Sequence, residues 1–109
     1  NAGGIGPVKY TLAADITHEI VKAYDVEAGG GVAYRGAFLI DKNGIVRSQI
    51  INDLPLGRNM EELLRLVDAL QFTEEHGEVC PANWKKGDKG MTATPDGVAS
   101  YLAENADKL

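Results

Sequence analysis

The one thiol of this chain, Cys80, and its one indole, Trp84, stand four residues apart in Glu74-Glu75-His76-Gly77-Glu78-Val79-Cys80-Pro81-Ala82-Asn83-Trp84. A single cysteine closes no disulfide within its own chain, so this thiol is either a small packing residue or half of a redox pair. His76, Glu78 and Cys80 are three donors of the kind that bind zinc. No complementary Cys/His pair occurs elsewhere, and a structural zinc site asks for four ligands. The run Gly3-Gly4-Ile5-Gly6-Pro7 invites a phosphate-cradling reading, but it lacks the Gly-x-x-x-x-Gly-Lys-Ser/Thr spacing and reads as a tight turn. Lys85-Lys86-Gly87-Asp88-Lys89-Gly90 has three lysines interrupted by an acid, too few for a nucleic-acid face. Taken alone, Arg35 is a surface or ion-pair residue on a strand, and Arg58 makes a contact from a loop just before a helix.

Composition narrows the class. The 109 residues carry a net charge of −5, which disfavours non-specific nucleic-acid binding. The length suits one small domain. No apolar run approaches the roughly 18 residues of a membrane helix, and there is no signal-peptide layout. With a single cysteine, a reducing cytosol is the expected compartment. The chain starts at Asn1 and enters a glycine-rich loop directly, as a piece of a longer polypeptide would.

The elements that must position these residues follow from periodicity and punctuation. Tyr10–Ala14 is compatible with a short strand. Asp15 or Thr17 is expected to cap a helix running to about Tyr24, with Ile16, Ile20, Ala23 and Tyr24 on one face and His18 solvated on the other. Val32–Ile40 reads as a strand, its Ala37-Phe38-Leu39-Ile40 run suited to burial on both faces. Asp41-Lys42-Asn43-Gly44 signals a hairpin, with a return strand from Ile45 to about Ile51. Asn59 is placed to cap a helix, with Glu62 in capping-box position and an apolar stripe of Met60, Leu63, Leu64, Val67 and Leu70. Glu61 and Arg65 are spaced to pair on its outer face, and its end is expected near Gln71. Lys85–Gly90 is expected to be loose. Thr94-Pro95-Asp96 starts a last helix, to about Asn105, whose Val98, Tyr101 and Leu102 need a surface to dock on. A doubly covered Phe38-Leu39-Ile40 needs more neighbouring strands than this sequence supplies, so further elements are expected from before Asn1 or from another chain.

The combination resembles the C-terminal half of a typical two-cysteine peroxiredoxin of the alkyl hydroperoxide reductase C type. The resemblance is carried by Gly3-Gly4-Ile5-Gly6-Pro7, Leu12–Asp15, Ala33-Tyr34-Arg35-Gly36-Ala37-Phe38-Leu39-Ile40-Asp41, Asn52–Arg58 and Glu75–Trp84, in family order along nearly the whole chain. It implies an α/β, thioredoxin-like fold of which this chain is the C-terminal portion. Residues 1–75 would belong to the main domain and 76–109 to a C-terminal arm. It also implies thiol-dependent reduction of hydrogen peroxide and alkyl hydroperoxides, with no cofactor or metal. The family motif Pro-x-x-x-Thr/Ser-x-x-Cys, which carries the attacking (peroxidatic) cysteine, is not in this sequence. Cys80 matches the resolving cysteine, which forms an intersubunit disulfide. Arg35 matches the arginine that stabilises the thiolate and the peroxide, and Arg58 a second arginine supporting that pocket. Implied partners are a second subunit in a homodimer, a ring-shaped decamer, and thioredoxin or a flavoprotein disulfide reductase, in the cytoplasm. Gly3, Gly4, Gly6 and Tyr101 match, in part, a loop and helix that regulate over-oxidation; the Tyr-Phe pair of sensitive members is Tyr101-Leu102 here. The competing reading is a non-catalytic truncated product or oligomer-forming, holdase-like piece.

Overall fold

The computed structural model describes residues 4 and 6–108. The chain forms two compact units, one up to Tyr34 and one from Arg35 onward.

In the first unit a short helix, α1 (Glu19–Ala23), is held by Asp15. The Asp15 carboxylate accepts hydrogen bonds from the backbone N–H groups of Ile20 and Val21 at 3.0 and 2.9 Å. That contact, led by Ile20, keeps the carboxyl below its ordinary value of 3.8 despite an opposing desolvation. Asp15 thus satisfies helix-start donors as expected, but from five residues upstream. The helix begins later than its capping residue suggests because His18 adopts a left-handed backbone (φ 63°), which no helix can run through. His18 is not simply solvated: its Nδ1 lies 2.9 Å from Glu27 Oε2. The apolar face expected on this helix is not buried in the unit, and Ile16 is 87% exposed. After α1 the chain turns back through Gly30 and Gly31 (φ 81° and 79°). Glu27 and Ala33 form an isolated antiparallel bridge across that turn, with Val26 and Ala28 buried beside it. The strand expected at Tyr10–Ala14 does not form: Lys9 and Tyr10 bend and the following residues are irregular. An isolated strand has no ladder to stabilise it, and Tyr10 and Leu12 are exposed.

The second unit is built on an antiparallel hairpin of β1 (Arg35–Ile40) and β2 (Val46–Asn52). The Asp41–Gly44 turn forms where expected. Asp41 locks it by accepting from the N–H groups of Asn43 and Ile45 through one side-chain oxygen, and Gly44 supplies the positive φ of 79°. β1 starts three residues later than Val32, since residues 32–34 serve the turn of the first unit. Register runs Arg35↔Asn52, Ala37↔Ile50 and Leu39↔Ser48, then shifts so that Ile40 faces Val46. The shift leaves Arg47 as the extra residue of a bulge.

The long helix α2 (Met60–His76) covers one face of this hairpin. Leu63, Leu66 and Val67 meet Ala37, Leu39, Ser48 and Ile50 around a small apolar cleft of about 120 Å³. The other face is not covered in the same way: Ile40, Val46 and Ile51 are exposed, so the Ala37–Ile40 run is not buried on both sides. At the helix start Asn59 Oδ1 accepts from the N–H groups of Glu61 and Glu62 at 3.0 and 3.3 Å. The second half of the expected capping box is not made, because Glu62 turns forward to Arg65 at i,i+3. The expected Glu61–Arg65 pair gives way to the same contact. The helix passes Gln71 and ends at Gly77, the first residue offering a left-handed cap (φ 69°, N–H to Thr73 carbonyl 2.9 Å). Helix α3 (Pro95–Asn105) starts as expected, with Thr94 Oγ1 accepting from the Gly97 N–H at 3.0 Å, and a 3-10 turn (Ala106–Lys108) follows.

Replacing Asn59 by Ala removes the acceptor for two helix-start donors and is expected to lower stability by about 1 kcal/mol, with Asn59→Asp retaining it. Urea unfolding followed by far-UV circular dichroism measures this; equal midpoints for Asn59→Ala and wild type would show that the cap contributes nothing.

Candidate functional site

Cys80 sits in a closed loop laid on α2. Past Gly77 the chain doubles back, and Val79 and Met91 exchange both backbone hydrogen bonds at 2.8 and 2.9 Å. Residues between that neck are folded around Trp84, which is 3% exposed and the only buried hydrophobic residue among those described in this unit. Its ring packs on Phe72 of α2 with centroids 5.0 Å apart, and Phe72 in turn meets His76 at 4.6 Å. Its indole Nε1 donates to the Asp88 carbonyl at 3.1 Å, and its own carbonyl accepts from Arg65 Nη1 at 2.7 Å.

The lysine-rich stretch after it is a defined turn and not a loose tail. Asp88 accepts from the Lys85 N–H through its carboxylate and donates its own N–H to the Lys85 carbonyl. Gly87 takes a φ of 99°, and Gly90 lies so close to Phe72 that a Cβ there would stand 2.5 Å from the ring. Aperiodic sequence concealed this order, because it comes from side-chain-to-backbone bonds and one glycine contact.

The Cys80 thiol is half-buried and free of disulfide. Its Sγ lies 3.6 Å from the Ala69 carbonyl, to which it donates, and 3.8 Å from Thr73 Oγ1, both on α2. It opens onto a cleft of about 230 Å³ shared with Leu39, Arg47, Leu66 and Thr73. Arg47, brought there by the bulge, is held by Asp41 at 3.2 Å, with Glu74 at 4.0 Å. His76 is drawn away onto Phe72, and among the described residues no group of three His, Cys, Asp or Glu side chains is arranged to hold a metal ion.

Arg35 and Arg58 lie together at the other end of the hairpin. Arg35 Nε donates to the Leu54 carbonyl at 3.3 Å, and Arg58 Nη1 donates to the Gly36 carbonyl at 3.4 Å. Asn52 ties the intervening loop down by donating to the Gly57 carbonyl at 3.2 Å. Both guanidinium groups are exposed and make one hydrogen bond each, leaving several of their five donors for an anion or a polarised oxygen. Leu39, beside Cys80, is four residues along β1 from Arg35, about 13 Å at a strand's rise per residue. Within one chain, therefore, the thiol and the arginine pair do not form a single site. Of the other expected residues, Gly4 lies in an exposed bend and Gly6 takes a φ of 78°. Gly3 falls outside the described residues. Tyr101 is half-buried on α3, in a cleft shared with Trp84 and Asp88.

Arg65 and Thr73 are the contributors that sequence reasoning missed. They lie eight residues apart with Ala69 midway, at the i,i+4 spacing that lines up one helix face. A small residue between two polar ones on such a face is the signal that something packs there. Glu62 is held below its ordinary value of 4.5, first by its hydrogen bond with Arg65, against desolvation.

Two family profiles match the chain. Residues 3–49 match the AhpC/TSA family, and residues 69–104 match the C-terminal domain of 1-Cys peroxiredoxin. The chain belongs to the AhpC/TSA peroxiredoxins. The alkyl hydroperoxide reductase C of Helicobacter pylori (strain J99) is 64% identical over 98% of this chain and 54% of its own length. A thioredoxin peroxidase of Trypanosoma brucei rhodesiense is 54% identical over 93% of the chain and 51% of its own length. In structure, the reduced 2-Cys peroxiredoxin of Plasmodium vivax superposes with a TM-score of 0.89 at 48% identity, covering 93% of this chain and 52% of that one. This peroxiredoxin chain thus spans about half the length of the relatives it matches, and its α/β elements are part of the thioredoxin-like peroxiredoxin fold. These relatives are named as a hydroperoxide reductase and a peroxidase. No helix among the described residues is long and apolar enough to cross a membrane.

Asp15, Asp41 and Glu62 are each held below their ordinary values of 3.8, 3.8 and 4.5. The native state then binds fewer protons than the unfolded chain in acid. The stability they contribute is complete above the ordinary values and is lost as pH falls through the depressed ones. The urea midpoint, read by Trp84 emission, is expected to hold from pH 7 down to about 5 and to fall steadily below the ordinary glutamate value of 4.5. A midpoint unchanged down to pH 3 would contradict this.

Proposed function

We propose that this chain takes part in thiol-dependent reduction of hydrogen peroxide and alkyl hydroperoxides, with Cys80 as the resolving thiol. The observation that carries the reading is the 64% identity with an alkyl hydroperoxide reductase C along nearly the whole chain. The half-buried, lightly tethered state of Cys80 on α2 supports it. In this chemistry a second, peroxidatic thiolate attacks one peroxide oxygen. The O–O bond breaks, a sulfenic acid forms, and the other oxygen leaves as water or an alcohol. The Cys80 thiol then displaces the sulfenic oxygen, forming an S–S bond and releasing water. Two electrons and two protons from a thioredoxin-type or flavoprotein reductase restore both thiols.

With one cysteine in these 109 residues, the attacking thiol is a different one. The distance between Cys80 and Arg35 within one chain favours resolution between subunits, in a homodimer that a ring-shaped decamer can extend. Arg35 would stabilise the attacking thiolate and the charge developing on peroxide oxygen, and Arg58 would hold that pocket together. Residues 76–109 would act as the arm delivering Cys80, in a cytoplasmic enzyme.

A polypeptide of the relatives' length, treated with one equivalent of peroxide, tests this by non-reducing electrophoresis and peptide mass spectrometry. Cys80→Ser is expected to abolish the intersubunit disulfide and leave a trappable sulfenic acid. Arg35→Ala is expected to slow the reaction with peroxide by on the order of 10²-fold. A disulfide that persists in Cys80→Ser would remove the resolving role. The Gly3–Gly6 loop and Tyr101 are proposed to slow resolution and so favour over-oxidation. Equal sulfinic acid yields in wild type and Tyr101→Ala would dismiss that role.

A further inference from the structure

Arg65 joins α2 to the far side of the Cys80 loop. Its Nε and Nη2 both donate to Glu62, at 2.6 and 2.9 Å, one helical turn away. That two-point contact fixes the plane of the guanidinium and leaves Nη1 directed at the Trp84 carbonyl, 2.7 Å away. On the near side the loop is tied to α2 at Cys80 only through sulfur contacts of 3.6 and 3.8 Å. Sulfur is a weak hydrogen-bonding partner, so the charged Arg65 bond is the stronger polar tether of the two. In a disulfide the two sulfurs stand about 2 Å apart, and Ala69 and Thr73 occupy the sulfur's surroundings while the loop is seated. The thiol is half-buried, and lifting the loop off Ala69 and Thr73 widens the approach of a partner thiol.

We infer that Arg65, oriented by Glu62, is a positioning residue that latches the Cys80 loop onto α2 and sets how often the thiol is released for disulfide formation. This rests on Cys80 being the resolving thiol, as proposed above, although the latch itself is a property of this chain. Lifting the loop breaks the Arg65–Trp84 bond and withdraws the indole from Phe72. Arg65 is held above its ordinary pKa, first by the Glu62 hydrogen bond and against an opposing desolvation. The guanidinium is charged at any working pH, and its two-point contact, which orients the latch, persists wherever Glu62 stays ionised.

The full 109-residue chain reports on the latch directly, because its only thiol and only indole both lie in the loop. The first readout is the rate at which Cys80 attacks an aromatic disulfide, forming a mixed disulfide and expelling an aromatic thiolate. For a thiol that reacts from the open form, that rate follows the open population. The second readout is Trp84 emission. Arg65→Met keeps the aliphatic stem and the helix propensity but removes every donor. It is expected to raise the thiol rate about ten-fold, the size set by loss of one charged hydrogen bond, and to shift Trp84 emission to the red. Glu62→Gln, which leaves the guanidinium but weakens its orienting contact, is expected to move both readouts the same way by less. Arg65→Lys is expected to fall between wild type and Arg65→Met, since an ammonium meets one partner and not both.

The latch is overturned if Arg65→Met and Glu62→Gln both stay within about two-fold of the wild-type thiol rate. It is equally overturned if their rates rise only in proportion to a loss of global stability in urea, which a merely structural role would give. Should Arg65→Met fail to fold, Glu62→Gln decides alone. Faster thiol release in this chain, without any peroxide-dependent disulfide at Cys80 in a subunit of the relatives' length, would keep the latch and remove the peroxidase assignment.

Discussion

The burial of one indole organises the second unit. Trp84 is the only buried hydrophobic side chain among the residues described there. Its ring, its indole N–H and its carbonyl are each met by a different part of the chain: Phe72, Asp88 and Arg65. A buried residue of this size with its polar atoms paired restrains the chain within a few residues of it. Cys80 is four residues away. The thiol is held where it is chiefly because Trp84 is held, and only weakly by its own contacts.

The thiol and the arginines are positioned by unrelated devices. The Cys80 loop is placed by a helix face, through a charged fork, a packed ring and a glycine close to Phe72. The arginine pair is placed by the end of a hairpin and a loop folded back on it. Within a chain the two are joined by β1 and by α2, which starts just after Arg58 and carries Ala69 and Thr73. That separation suits the proposed division of labour, in which one subunit would supply the pocket and another the second thiol. Release of the loop can then be tuned without disturbing the pocket.

The sequence made some of this legible and hid the rest for definable reasons. The hairpin turn and the Asn59 and Thr94 caps were readable because each depends on residues within a few positions of one another, whereas the α2 stripe was readable only in part: Met60 and Leu64 are exposed, and Leu66 packs beside Leu63 and Val67. The expected strand at Tyr10–Ala14 failed because strand formation depends on a neighbour that short-range pattern does not report. The end of α2 was misplaced because Phe72–His76 contains no breaker before Gly77. The i,i+4 spacing allows Arg65 to pair with Glu61 on the outer face as readily as i,i+3 allows Glu62. The choice was made by the Trp84 carbonyl, 19 residues away.

The order of residues by itself determined the family and the local starts and turns, because these depend on residue identity and short spacing. Tertiary structure decided which helix face receives the loop and that Cys80 rests against Ala69 and Thr73. It also decided that the lysine-rich stretch is an ordered turn, and that Arg35 and Arg58 stand apart from their own chain's thiol. Those facts depend on contacts between segments far apart in sequence. Such contacts form only when a buried ring and a charged hydrogen bond together outweigh the entropy of closing the loop.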